Sequence, residues 1–96
     1  AAADLAGERV WRMPTDDDYK EFIKSDIADI KNVGNRYAGA TTGSLFLEYF
    51  TDGTPWAHLD IAGTAYMDKK TGYYVKGGTG TGVRTLVRLA LDMARG

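Results

Sequence analysis

The stretch from residue 56 to residue 65 constrains the fold most, because its polar and apolar side chains alternate. Alternation places His58 and Asp60 on one face of a predicted strand, and the apolar residues between them on the opposite, core-facing side. The strand ends in small residues at positions 62–65. Ligands of α/β sheets bind beyond the carboxyl ends of the strands. We therefore expect residues 62–65 to form one wall of a pocket.

Composition narrows the class of protein. The chain has 96 residues, a net charge of −1 and no cysteine. The charge argues against general affinity for nucleic acid or membrane surfaces, and the absence of cysteine excludes disulfides and thiolate zinc sites. No apolar run reaches membrane-spanning length and no signal peptide is evident, which predicts a cytoplasmic location. Because the chain begins with three alanines rather than Met, we expect it to be a piece of a longer protein.

The first quarter of the chain predicts a helix end, a strand and a second helix. Residues 1–6 are typical of a last helical turn, with Gly7 at the position after the helix. Residues 8–13 alternate charged and apolar side chains, which predicts a short strand. Thr15 is the predicted cap of the next helix, whose first turn holds the acidic residues 16–18. We favour helix-dipole stabilisation over a metal site for these acids, because consecutive helical residues point in different directions.

The second quarter predicts an extended segment and an amphipathic helix. Residues 25–34 alternate in a manner that suits a strand. Asp26 and Asp29 are candidate hard-cation ligands, but capping or pairing with Lys24 or Lys31 is favoured. From residue 38 to residue 50 the apolar positions recur at helical spacing, and the small residues of the first half permit close packing.

The last third predicts a polar turn, a glycine-rich loop and a helix. The turn covers residues 69–72 and the loop covers residues 77–82. The loop invites a phosphate-binding interpretation, but its glycines fit neither the dinucleotide-binding nor the Walker pattern. We instead expect the glycines to allow close backbone approach, and Thr79 or Thr81 to cap the helix over residues 83–94.

Several strings together resemble one family. The matching strings are residues 8–14, 24–34, 38–40 with 46–47, 56–63 (Trp-Ala-His-Leu-Asp-Ile-Ala-Gly) and 79–86. In this order they are similar to the C-terminal end of the catalytic domain of leucyl (cytosol) aminopeptidases, over nearly the whole chain. The resemblance implies an α/β fold: a C-terminal piece of a mixed-sheet catalytic domain, with helices packed on the sheet. It makes residues 1–96 an incomplete portion of that domain.

The resemblance also implies a metal-dependent exopeptidase that releases N-terminal residues, with a Leu-type preference, from peptides. In the family two divalent ions, zinc or manganese, hold the attacking water. Their ligands come partly from an Asn-Thr-Asp-Ala-Glu-Gly-Arg motif, which this sequence lacks. We expect no metal ligand and no catalytic residue in this chain, and therefore no activity by the chain alone.

The resemblance assigns substrate-binding roles to three residues. Ala62 and Ala65 align with positions lining the pocket for the first side chain of the peptide, and Val33 aligns with a position on the leaving side. Small side chains there suit Leu, Met or Phe. For His58 and Asp60 a structural role is favoured over acid–base catalysis, because they match positions outside the metal centre.

Two other functions stay open at this stage. The chain is alternatively a non-catalytic binding or assembly module of the same family, and the glycine-rich loop leaves nucleotide binding as a third hypothesis. The expected partners are a peptide substrate, the rest of the aminopeptidase chain and further copies of the protein, since the family forms hexamers. No nucleic acid or membrane partner is expected. Because sheet edges and packing faces would be exposed, the isolated chain is expected to self-associate.

Overall fold

A computed structural model describes residues 1–96 and divides them into two compact units. One unit combines Ala1–Trp11 with Leu59–Gly96, and the other is Arg12–His58. The first contains helix α1 (Ala2–Ala6), strands β1 (Tyr66–Met67) and β2 (Gly77–Gly78), and helix α3 (Val83–Arg95); the second contains a 3₁₀ helix (Asp17–Ile23) and helix α2 (Gly39–Glu48). The predicted mixed α/β class is confirmed, as a two-stranded sheet with helices.

Helices α1 and α3 pack against each other in the first unit. Helix α1 ends as predicted, because Gly7 adopts a left-handed conformation (φ 73°) that costs glycine little. Ala3 is buried, and its size permits close approach of the two helices. Helix α3 covers the predicted span and extends it by one residue.

A small hairpin in the first unit was not predicted. Strands β1 and β2 pair antiparallel, with Tyr66 opposite Gly78 and Met67 opposite Gly77. Further out, the backbones of Thr71 and Tyr74 exchange two hydrogen bonds of 3.0 and 3.1 Å. The turn therefore lies slightly after the predicted residues 69–72, and part of the predicted glycine loop is a strand.

The second unit is built on the packing of α2 against the 3₁₀ helix. Leu45 and Ile23 form its apolar centre and are 3% and 5% exposed. The predicted cap at Thr15 is wrong: Asp16 precedes the helix and its side chain accepts a hydrogen bond from the Asp18 N–H at 3.0 Å. A carboxylate next to the first turn reaches that N–H directly, whereas the predicted cap is one residue too early.

The strands predicted over residues 8–13, 25–34 and 56–65 are not formed. No backbone–backbone hydrogen bond involves residues 9–13 or 56–60, and within 25–34 the only one joins the Lys31 N–H to the Ile23 carbonyl. Alternation specifies which face of an extended segment is apolar, but a strand also needs a neighbour to pair with. That neighbour is absent for these segments within residues 1–96. None of the helices combines the length and apolar character required to cross a bilayer.

Candidate functional site

The predicted pocket wall is a tight turn rather than the end of a strand. The Ile61 carbonyl accepts hydrogen bonds from the N–H groups of Thr64 and Ala65, at 3.0 and 2.9 Å. The Asp60 carboxylate accepts a hydrogen bond from the Ala62 N–H at 3.1 Å. Asp60 therefore starts the turn by the side-chain-to-backbone contact typical of Asp. Its role in this geometry is structural.

The three predicted pocket residues fall in different parts of the chain. Ala62 is exposed and Ala65 half-buried, and both belong to the turn just described. Val33 is 70% exposed and belongs to the other unit. His58 is half-buried, and its ring lies 6.3 Å from the ring of Trp56.

The turn at residues 61–65, which contains two of the predicted pocket residues and is called the pocket turn below, is hydrogen-bonded to the segment that leads into α3. The Thr64 carbonyl oxygen lies 2.6 Å from Thr79 Oγ1 and 2.9 Å from Thr81 Oγ1, and both hydroxyls are placed to donate to it. The Thr79 N–H donates to the Ala65 carbonyl at 2.9 Å. The prediction that Thr79 or Thr81 caps α3 is therefore wrong, because both side chains are directed to the pocket turn instead.

Helix α3 is capped from a distance by Glu8. The residue at the N-cap position, Gly82, has no side chain to offer. One oxygen of the Glu8 carboxylate accepts from the Gly82 N–H and the other from the Thr85 N–H, both at 3.1 Å. The Thr85 hydroxyl also donates to Glu8. A carboxylate at this end of a helix satisfies free N–H groups and the positive end of the helix dipole.

These contacts lower the pKa of the Glu8 carboxyl. The hydrogen bond from the Thr85 hydroxyl is the largest cause that holds the pKa of the Glu8 carboxyl below its usual value, with backbone donors and Arg84 adding to the effect and burial opposing it. The Arg84 guanidinium lies 3.7 Å from Glu8 and 5.9 Å from the centre of the Tyr73 ring. The hydrogen bond between the Tyr73 and Tyr74 hydroxyls is the main cause that lowers the pKa of Tyr73.

The acidic residues considered as metal ligands have other contacts or none. Asp17 pairs with Lys20 at 2.7 Å, and this pairing lowers the pKa of Asp17. The predicted pairing of Asp26 or Asp29 with a lysine is wrong: Lys24 pairs with Glu21, and the adjacent turn is closed by the Ser25 hydroxyl. Throughout residues 1–96 no three His, Cys, Asp or Glu side chains group closely enough to hold a metal ion. The side chains of this chain therefore do not fit a pair of divalent ions.

The first unit has an open cleft beside its N-terminal segment. Its volume is about 600 Å³ and it is lined by Asp4, Gly7, Glu8, Arg9, Val10 and Trp11. None of the predicted pocket residues contributes to it.

Sequence patterns missed two of the residues that organise this region. The alternation of Glu8 with apolar neighbours predicts a strand, and nothing local indicates a partner 77 positions later. The small residues at positions 62–65 predict a pocket wall, but nothing in them indicates that the Thr64 carbonyl accepts from two threonines. The one available signal is the pair of threonines two residues apart beside α3, and this pattern is equally typical of a helix cap.

Comparison with known proteins gives consistent matches. Residues 1–87 match the family described as cytosol aminopeptidase family, catalytic domain. The chain is 55% identical over 94 residues to a probable cytosol aminopeptidase of Alkaliphilus metalliredigens, covering 98% of this chain and 19% of the relative. It is 58% identical over 92 residues to a probable cytosol aminopeptidase of Solibacter usitatus, covering 96% and 19%.

A solved structure matches as well. A mutant of tomato leucine aminopeptidase superposes with a TM-score of 0.83 at 46% identity, covering 95% of this chain and 17% of that one. The chain therefore spans about a fifth of the length of the relatives it matches.

Proposed function

Because this chain belongs to the cytosol aminopeptidase family, we propose that it works as the C-terminal portion of an aminopeptidase catalytic domain that releases N-terminal residues from peptides. The family match over residues 1–87 carries this proposal. The chain matches about a fifth of the length of its relatives. This supports the proposal that other segments complete the domain. The relatives' names also support a cytosolic location.

The proposed contribution of the chain is to the substrate pocket. Ala62 and Ala65 would contact the first side chain of the peptide, and Val33 the leaving side. Ala62 and Val33 are exposed and so are available for such contacts. Alanine side chains leave room for a Leu-type side chain, and pockets of this kind discriminate by about 1–3 kcal/mol per methylene.

The metal ions of the proposed enzyme would be held outside this chain. Since no three potential ligands are grouped here, two divalent ions, zinc or manganese, would need ligands from the rest of the catalytic domain. Such ions supply Lewis-acid polarisation and an activated water in two-metal hydrolases. We therefore propose that residues 1–96 alone do not hydrolyse peptides.

Exposed apolar side chains support association with further protein. Several large hydrophobic residues are 70% exposed or more: Trp11, Ile27, Val33, Tyr73 and Met93. Removing such apolar surface from water by contact with further protein is favourable. We propose that the rest of the aminopeptidase chain covers part of this surface, and that the assembled enzyme is a homo-oligomer, a hexamer by family resemblance.

A chimeric enzyme tests the proposal directly. This chain would replace the matching segment of the Alkaliphilus metalliredigens relative, and the purified chimera would be assayed on leucine amide with zinc or manganese. Hydrolysis by the chimera, and none by the 96-residue chain, is the expected result. The matched controls are the unmodified relative and a chimera carrying Ala94→Trp, at an exposed position of α3 outside the pocket turn.

Two outcomes would contradict the proposal. A folded chimera that does not hydrolyse leucine amide, while the unmodified relative does, would favour the non-catalytic module instead. Hydrolysis by the 96-residue chain alone would show that the active centre lies within it.

A further inference from the structure

The Thr64 carbonyl oxygen is the point where the pocket turn meets the segment before α3. Two threonine hydroxyls, those of Thr79 and Thr81, lie within 2.9 Å of this oxygen. They also lie 2.8 Å from each other, and either can be the donor in that contact. The three oxygens therefore form a closed triangle of hydrogen-bond distances.

Either hydroxyl alone can supply the hydrogen bond to the Thr64 carbonyl. Each hydroxyl has one proton to donate. If Thr79 donates to Thr81, then Thr81 is free to donate to the Thr64 carbonyl, and the reverse also holds. In every arrangement that uses both protons within the triangle, at least one hydroxyl donates to that carbonyl. Loss of either hydroxyl alone therefore leaves the turn anchored.

The segment that carries the two threonines is itself fixed by hydrogen bonds next to α3. Gly80, between the two threonines, and Gly82, directly before α3, have φ of 71° and 89°, and this lets the backbone turn sharply at both points. The Val83 N–H closes this turn on the Gly80 carbonyl at 3.0 Å. The Gly82 N–H donates to the Glu8 carboxylate. A continuous set of hydrogen bonds thus runs from Glu8, through the start of α3, to the turn at residues 62–65.

From this geometry we propose that Thr79 and Thr81 are positioning residues that fix the pocket turn, and so determine how sharply the enzyme distinguishes N-terminal side chains. The inference rests on the proposed function, since it takes Ala62 and Ala65 as pocket residues. The turn has internal hydrogen bonds, but these link it only to its own neighbours within residues 60–65. Its connection to the segment before α3 is made by the two hydroxyls, by the Thr79 N–H and by the adjoining pairing of Tyr66 with Gly78. The two hydroxyls are the side-chain groups among these contacts.

The test uses the chimera and three variants: Thr79→Val, Thr81→Val and the double variant. Valine keeps the shape of threonine and removes the hydroxyl. The measurement is the ratio of kcat/KM for leucine amide to that for alanine amide. We expect each single variant to change the ratio less than about threefold, and the double variant to lower it by about tenfold, within the range that pocket contacts control.

Separate values of KM and kcat distinguish a change in the position of the turn from a general loss of activity. We expect the double variant to raise KM for leucine amide while kcat for alanine amide stays near that of the unsubstituted chimera. The conservative double variant Thr79→Ser with Thr81→Ser keeps both hydroxyls and should restore the ratio. Thr51→Val is the matched control, because the Thr51 hydroxyl also donates to a carbonyl, that of Glu48 at 2.8 Å, but in the other unit.

Three results would overturn the inference. The first is an unchanged ratio in the double variant, and the second is an equal loss of activity on both substrates. The third, which remains informative if the double valine variant does not fold, is a tenfold change of the ratio in the double serine variant, which keeps both hydroxyls. An inactive unsubstituted chimera would refute the proposed function instead, so the two failures are distinguishable.

Discussion

Gly34 offers a sharp test of the packing that places Val33, because the space beside its Cα is already occupied. A Cβ at this position would lie 3.1 Å from the Phe22 carbonyl oxygen and 3.3 Å from the Phe22 Cβ. Thr42 Cγ2 is a further neighbour at 3.5 Å. The closest of these atoms is backbone, which cannot rotate away as a side chain can. Gly34→Ala would therefore force the segment and the 3₁₀ helix apart by a few tenths of an ångström.

The expected cost follows from two opposing effects. Overpacking of a filled site costs about 1–3 kcal/mol. Replacing glycine by alanine also restricts the unfolded chain, which offsets about 0.4–1 kcal/mol. The net expectation is a loss of roughly 1–2 kcal/mol in the free energy of unfolding.

Gly43→Ala is the matched control, with the opposite expected sign. Gly43 lies inside α2, and apart from its chain neighbours and the helix's own backbone no atom lies within 4 Å of the Cβ it would gain. Alanine is favoured over glycine in a helix interior by about 0.5–1 kcal/mol. Both positions belong to the same unit, so one transition reports on both.

Urea unfolding of the 96-residue chain, followed by circular dichroism, measures both variants. With an m value of about 1–3 kcal/mol per molar, Gly34→Ala should lower the midpoint by roughly 0.3–2 M and Gly43→Ala should raise it. If Gly34→Ala is as stable as the parent chain, or if both variants lose the same stability, the proposed close approach at Gly34 is wrong. In the chimera, Gly34→Ala should also raise KM, because it displaces the neighbouring Val33.

Three further predictions concern the site. Ala62→Trp in the chimera should lower kcat/KM for leucine amide by about 10- to 200-fold, while Ala94→Trp leaves it unchanged; equal effects would argue against a pocket at the turn. Glu8 has a lowered pKa in the folded chain, so its stabilisation of α3 is present above its ordinary pKa of 4.5 and is lost as the pH falls through the lowered value. Unfolding free energy measured against pH should decline less steeply in Glu8→Gln than in the parent chain, where Asp17 also contributes through its lowered pKa; an identical decline in both would remove Glu8 as a source. Chelation should abolish hydrolysis by the chimera, and zinc or manganese should restore it, whereas calorimetry should detect no binding of either ion to the 96-residue chain.

Local patterns were sufficient for the helices. The apolar spacing in α2 and α3 and the glycine after α1 correctly predicted all three, because a helix closes its hydrogen bonds within its own segment. The mixed α/β class and the family resemblance are confirmed as well. The pocket roles of Ala62, Ala65 and Val33 stay predictions.

Pairing and capping over long distances were decided only by the tertiary structure. Alternation in residues 8–13 and 56–65 predicted strands with a core-facing apolar side, but strands need partners, and none lies within this chain. The predicted core side is wrong as well, since Leu59 and Ile61 are 45% and 42% exposed. The same limit applies to Glu8, whose alternation suggested a strand although its carboxylate caps α3. The amino-acid sequence thus determined the helices and the family, because those signals are contained in short segments. Which carbonyl Thr79 and Thr81 bind, and which helix Glu8 caps, depends on residues that meet only when the chain folds.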